Sequence, residues 1–239
     1  MLRAAVHGLS EGPRVLDEGA SHHLGHVLRV GAGVAVELFD PVTRATAKAI
    51  VVGVHASGRL SVEVGPLLVA PPLHPDVTLL YALSKGDKVD TVVEDATELG
   101  AARVVVVRTR RSVVKLDEAR ATLRRARWTR IATAAARQCG RADVPIVEGV
   151  LDLEVAAGAV RAISRFVLHP AGAPLREPLV EALARGDSLA FVIGPEGGFD
   201  DDELRWLEGQ GYHRASLGDT VLRTETVAAA VLGAVRVLA

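Results

Sequence analysis

Cysteine is almost absent: Cys139 is the single one in 239 residues. One thiol makes no internal disulfide and no cysteine-based zinc site. Aromatic residues amount to 3%, too few for extensive stacking of nucleobases on Phe, Tyr or Trp. No apolar run approaches the roughly 20 residues of a membrane-spanning helix. The longest, Val104–Val107 and Val227–Val235, are too short or end in charge. The first twenty residues carry Arg3, His7, Glu11 and Arg14, so no secretory signal core is expected there. Metal ligands are not clustered. His22 and His23 are adjacent and cannot converge, and His26 has no acidic third ligand nearby in sequence. These absences lead us to expect a soluble, cytoplasmic protein with no metal and no membrane partner.

What is present is ordinary for a folded chain: 49% hydrophobic and 24% charged residues, too apolar for disorder. The length suits one large domain or two modest ones. Net charge is −1, but it is unevenly spread. Residues 1–102 hold 8 basic and 12 acidic side chains, net −4. Residues 103–141 hold 12 basic and 2 acidic, net +10, and residues 142–239 hold 8 and 15, net −7. A local excess of this kind is the footprint a polyanion leaves, or else a solvated helix face.

Texture changes along the chain. Residues 1–65 carry short alternating runs, 34–39, 45–52 and 59–64, separated by Gly31–Gly33, Asp40-Pro41 and Ser57-Gly58. Such spacing predicts a small β-barrel or curled sheet, interrupted by a helical turn over 19–30. Pro66, Pro71, Pro72 and Pro75 mark a linker. Beyond it strands and helices alternate. Strands are predicted at 77–83, 103–107, 145–150, 166–168, 189–193 and 215–217. Helices are predicted at 87–99, 116–139, 175–184, from 200, and over 224–238. Asp87, Asp200 and Thr224 are the expected N-caps. This alternation implies an α/β domain with a mostly parallel sheet.

In such sheets ligands bind beyond the carboxyl ends of strands. Two glycine-marked loops fall there, Gly194-Pro-Glu-Gly-Gly-Phe199 and Leu217-Gly-Asp-Thr-Val-Leu-Arg-Thr-Glu-Thr226, with His169-Pro-Ala-Gly172 as a third. Neither of the first two is a P-loop or a dinucleotide fingerprint. Glu196 and Glu225 would repel polyphosphates. A cationic or uncharged ligand rich in hydrogen-bonding edges fits better, S-adenosylmethionine being one. The alternative is a pair of tight turns with solvated acids.

The two loops together resemble the C-terminal signature of the RsmE family, the 16S ribosomal RNA (uracil-N3)-methyltransferases of the SPOUT superfamily. Further likenesses are Arg3, His22-His-Leu-x-x-Val-Leu-Arg29, Lys85-Gly-Asp-Lys88, Thr97-Glu-Leu-Gly100, Arg111-Ser-Val-Val-Lys115, Arg127-Trp128 and Gln138-Cys-Gly-Arg141. Departures include Ser84, where the family commonly has Pro, and Val227, where it has Ala. The resemblance implies a PUA-like, RNA-binding β-barrel over residues 1–70. It also implies a SPOUT methyltransferase domain over 74–239, with a trefoil knot, and a homodimer. The cofactor would be S-adenosylmethionine, and the target N3 of a uridine in 16S ribosomal RNA or the assembled small subunit. It implies cofactor contacts at Leu168, His169, Gly194, Pro195, Glu196, Gly197, Leu217, Gly218, Leu222, Thr224 and Thr226. RNA would lie across Arg3, His23, Arg29, Arg111, Arg137 and Arg141.

Methyl transfer to a uracil ring nitrogen requires loss of the ring proton. A carboxylate can take it, or a cation can stabilise the developing anion. Glu225 is the candidate for the first route, Arg223 and Arg111 for the second. Two other readings stand beside this one: a SPOUT methyltransferase acting on another base or a ribose 2′-oxygen, and a non-catalytic RNA-binding ribosome assembly factor.

Overall fold

The computed structural model describes residues 2–112 and 116–239. Val113, Val114 and Lys115, within the 111–115 motif, lie outside the described residues. The chain divides into two compact units, residues 1–72 with 133–144, and residues 73–132 with 145–239. Residues 133–144 group with the first unit, although they lie beyond the boundary near 70–74 in sequence. Arg3 supplies a physical reason. Its guanidinium is buried and donates to the carbonyls of Ala136 (3.0 Å) and Arg141 (2.5 Å) and to Glu37 (3.0 Å).

The first unit holds strands β1 (Arg3–Ala5), β2 (Gly12–Val15), β3 (Ala35–Phe39), β4 (Ala45–Val54), β5 (Leu60–Val64) and β6 (Leu68–Val69). They form one sheet in the order β1-β3-β4-β5-β2, with β6 also on β4. Helix α1 (Glu18–Ser21) runs into a π-helical turn, His22–Val27, which replaces the ordinary turn expected there. Strand β4 shows how the sequence sets the sheet. Ala45, Ala47, Ala49 and Val51 point inward and are buried, while Lys48, Ile50 and Val52 between them are exposed. The core gathers these with Val6, Leu16, Leu24, Val36, Leu38 and Val62. Strands β1, β2 and β6 have no sequence signal: they are four residues or fewer, and β6 lies inside the proline-rich linker.

The second unit alternates β7 (Val77–Ala82), α2 (Lys88–Glu98), β8 (Arg103–Arg108), α3 (Glu118–Cys139), β9 (Ile146–Asp152), α4 (Leu153–Ala159), β10 (Ser164–Pro174), α5 (Arg176–Ala184), β11 (Leu189–Ile193), α6 (Asp201–Gly209), β12 (His213–Ser216) and α7 (Thr224–Leu238). From Thr133 onward, α3 belongs to the first unit. The sheet is parallel throughout, in the order β12-β10-β11-β7-β8-β9. Its central strands are buried on both faces, which is why they read as unbroken Val, Leu and Ile runs. Leu80, Ala82, Val105, Val107, Val167 and Val192 pack against α4 and α6. On the alternate residues, Tyr81 reaches Thr224 of α7, and α7 in turn packs against α2.

Two expectations change here. His169–Gly172 is not a free loop but part of the long strand β10. Pairing with β11 ends at Leu168, and pairing with β12 skips from Leu168 to Ala173. Pro170, which has no N–H to give, sits in the skipped stretch. Helix α4, between β9 and β10, was not expected, because its Ala- and Gly-rich sequence lacks helical periodicity.

Candidate active site

Strands β10, β11 and β12 end on the same side, and a cavity of about 520 Å³ opens beyond their carboxyl ends. This is where an open parallel sheet binds ligands. A smaller hollow of about 290 Å³, beside Asp76, Arg103, Glu148 and Arg161, lies at the opposite, amino-terminal ends. The larger cavity takes its floor from Leu168 to Pro170 and Ile193, one wall from residues 194–199, and another from 215–218 and 220–224. Lys88, Arg111 and Val227 complete it.

The first wall is held in place by α6. Asp200 and Glu203 form the capping box expected from their spacing. Glu203 is buried and accepts from the N–H of Asp200 (2.8 Å) and from the N–H of Arg110 (2.8 Å). One carboxylate thus ties the loop to the chain leaving β8. Arg111 adds a bond of 3.0 Å to the Gly197 carbonyl. Gly194 has no room for a side chain: a Cβ there would lie 2.9 Å from the Phe199 ring. The second wall turns at Gly218, whose φ of +130° only glycine adopts readily. Thr224 is the first residue of α7 rather than its N-cap, a position that falls to Arg223. Its hydroxyl is spent elsewhere, on Tyr81 (2.8 Å) and Glu225 (3.2 Å).

The electrostatics centre on Lys88. Its Nζ lies 2.8 Å from Glu196 and 3.2 Å from Glu225. Burial pushes both carboxylates up, but this ammonium and the backbone N–H groups outweigh it and hold them below the usual range. Contact with Glu196, and then with Glu225, raises Lys88 in return. His169 is lowered by burial and by Arg214, which favours a neutral ring, and its Nδ1 accepts from the Ala171 N–H (3.1 Å).

Of the expected cofactor contacts, Leu168, His169, Gly194, Pro195, Glu196, Gly197, Leu217, Gly218, Leu222 and Thr224 line this cavity, and Thr226 does not. Arg223 and Arg111 line it; Glu225 does not, and stands beside Lys88. Among the described residues, no three His, Cys, Asp or Glu side chains are grouped to hold a metal.

Residues 71–236 match the family described as an RNA methyltransferase domain. The chain is 38% identical to ribosomal RNA small subunit methyltransferase E of Mycobacterium tuberculosis, over 94% of this chain and 86% of that protein. The chain belongs to this family. The Bacillus subtilis member is 34% identical over 66% of this chain and 64% of its own length. Among solved structures, the family member from Neisseria gonorrhoeae, bound to S-adenosyl methionine, superposes with a TM-score of 0.88. That pair shares 27% identity and covers 100% of this chain and 98% of that one.

Against the family's expected RNA contacts, the first unit sorts its cations clearly. Arg3 is 1% exposed, with its guanidinium over the Phe39 ring at 4.3 Å and on the bonds given above, so it is a structural anchor. Arg141 is 8% exposed and bonds Asp143 at 2.9 Å, so it too is structural. His23 and Arg137 are half-buried, and Arg29 is exposed with a left-handed φ of 54°. The Nε of Arg137 is buried without a partner among the described residues. Burial lowers His23, and Arg137 and His22 lower it further. Reasoning from sequence missed Lys88 as a pocket residue. The 85–88 motif was the one available signal, and spacing cannot reveal partners more than a hundred residues away.

Proposed function

We infer that this protein transfers a methyl group from S-adenosylmethionine to ribosomal RNA of the small subunit, at N3 of a uridine. The observation that carries this is the cavity itself. It joins backbone at Gly194, Gly197 and Gly218, apolar walls at Leu168, Leu217 and Leu222, and a carboxylate, Glu196, at the carboxyl ends of three parallel strands. Backbone edges suit an adenine, apolar side chains its faces, and an ionised carboxylate a sulfonium. The residues present therefore fit the cofactor, which when bound supplies an electrophilic methyl on a good leaving group.

The chain's own part is to orient the target and manage its proton. Arg111 and Arg223 line the cavity. Arg111 spends one N–H on Gly197, and the Arg223 guanidinium bonds to no described residue. Their fixed charges can stabilise negative charge developing on the oxygens flanking a uracil nitrogen. The alternative, proton removal by Glu225, would need that carboxylate turned toward the ligand. His23, Arg29 and Arg137 of the first unit are the side chains we assign to RNA, positioning phosphates rather than reading bases. By family likeness we extend the reading to a PUA-like barrel for residues 1–70, a trefoil knot in the second unit, a homodimer and a cytoplasmic site of action.

The test uses small subunits isolated from a strain lacking the protein. Incubation with protein and S-adenosylmethionine, then mass analysis of the nucleosides, is expected to yield N3-methyluridine. A 2′-O-methyl product, another methylated base, or cofactor binding without methylation would overturn the assignment.

A further inference from the structure

The ammonium of Lys88 joins one wall of the cavity to the start of α7. It sits at the first turn of α2 and reaches Glu196 in the 194–199 loop and Glu225 in the first turn of α7. Glu225 is also fixed by the Thr224 hydroxyl, which donates to the same Oε2 that Lys88 reaches, and Thr224 by buried Tyr81 on β7. Lys88 and Glu196 line the cavity; Glu225 does not. An ammonium has three N–H groups. Two are spent on Glu196 and Glu225, and no other described residue takes the third.

This arrangement suits Glu225 poorly for proton removal. A general base works best with a pKa near the working pH. Although burial pushes Glu225 up, its own N–H, Lys88 and Thr224 pull it below the ordinary carboxylate range. The same contacts suit it for holding a cation in one place.

We propose that Lys88 is a ligand-binding residue of the cavity, giving its third N–H to an oxygen of a bound ligand, and that Glu225 is the positioning residue that holds it. This rests on the methyl-transfer reading above. Two oxygens share the required chemistry: the carboxylate of the cofactor's amino-acid end and a carbonyl of the target base.

The test begins with the unaltered protein, by calorimetry with S-adenosylmethionine. If it binds none, the functional reading fails before any variant is made. Lys88→Met is then compared with Lys88→Arg, using S-adenosylhomocysteine, which keeps the carboxylate, and methylthioadenosine, which lacks it. A charge-assisted bond is worth roughly tenfold or more in affinity. Loss of that size for S-adenosylhomocysteine alone places Lys88 on the cofactor carboxylate. Unchanged affinity for both ligands, with kcat on RNA reduced about tenfold or more, places it on the base. Lys88→Arg is expected to recover part of either loss. Glu225→Gln keeps an oxygen for the ammonium, so kcat should fall by no more than about tenfold with the acid limb of the pH profile intact. This arm stands whether or not Lys88→Met folds. The proposal is overturned if Lys88→Met changes neither affinity nor kcat. It is equally overturned if Glu225→Gln costs about a hundredfold or more in kcat, at unchanged cofactor affinity, and abolishes the acid limb.

Discussion

A methyl group added at Gly194 would meet an aromatic ring before it met any ligand. The sequence places this glycine where a ligand backbone approaches, and a side chain there is expected to fill the ligand's space. The structure adds a nearer obstacle: the new Cβ would sit 2.9 Å from Phe199 Cε2 and 3.0 Å from Cδ2. Phe199 is buried in the core between the sheet and α6, so it has little freedom to yield. Overpacking of this kind costs about 1–3 kcal/mol. Gly194→Ala should lose that much in denaturant unfolding, as well as cofactor affinity in calorimetry. An unfolding midpoint equal to the parent's would show that the ring moves freely. The two loops that wall the cavity were legible from their glycines, because close backbone approach leaves glycine in a fixed pattern, though Glu225 and Thr226 of the second loop do not line it. Lys88 was not, since its partners are brought to it only by the order of strands.

At the scale of elements, α6 shows how a short sequence pattern gains a second task in three dimensions. Asp200 and Glu203 announce a helix start by their spacing. Nothing in that spacing announces that Glu203 also receives the N–H of Arg110, which follows β8 in the chain. Both carboxylate oxygens are in use, and the residue is 2% exposed. Gln supplies a single acceptor oxygen, so Glu203→Gln takes the acceptor from one part-buried N–H. That costs about 1 kcal/mol. Denaturant unfolding should show the loss, and amide hydrogen exchange at Arg110 or Asp200 should quicken. Unaltered exchange at both would mean that the carboxylate is dispensable. Longer elements were read from sequence within a few residues, as α2, α5 and β11 were, because their periodicity and caps are local. Strands β1, β2 and β6 were not, because pairing across the sheet, and not propensity, makes them strands.

Over the whole molecule, the Arg-rich stretch is less of a bare positive field than its count suggests. Arg103 pairs with Glu148, Arg108 with Asp152, Arg110 with Asp200 and Asp202, Arg127 with Asp90, and Arg141 with Asp143. Composition alone could not separate paired from unpaired arginines. Arg124, Arg125, Arg130 and Arg137 pair with no described carboxylate. His23 is coupled to the last of these: burial and the charge of Arg137 keep its pKa below the ordinary histidine value. A phosphate placed between them would favour the protonated ring and raise that pKa. Proton uptake would then accompany RNA binding, so affinity should rise as pH falls through the range near and below about 6.5. We expect about a threefold gain between pH 7.5 and 5.5 at fixed salt, absent in His23→Gln, measured by fluorescence anisotropy with small-subunit RNA. An identical pH response in the variant would remove His23 from the RNA surface.

The guanidinium of Arg3 also orders events in time. During translation the nascent N-terminal unit emerges first, yet the carbonyls that receive Arg3 belong to residues 136 and 141. Until residues 136 and 141 have been made, Arg3 lacks the two carbonyls that receive its guanidinium. The first unit is thus completed by a segment that follows it at a distance in the chain, after part of the second unit has been made.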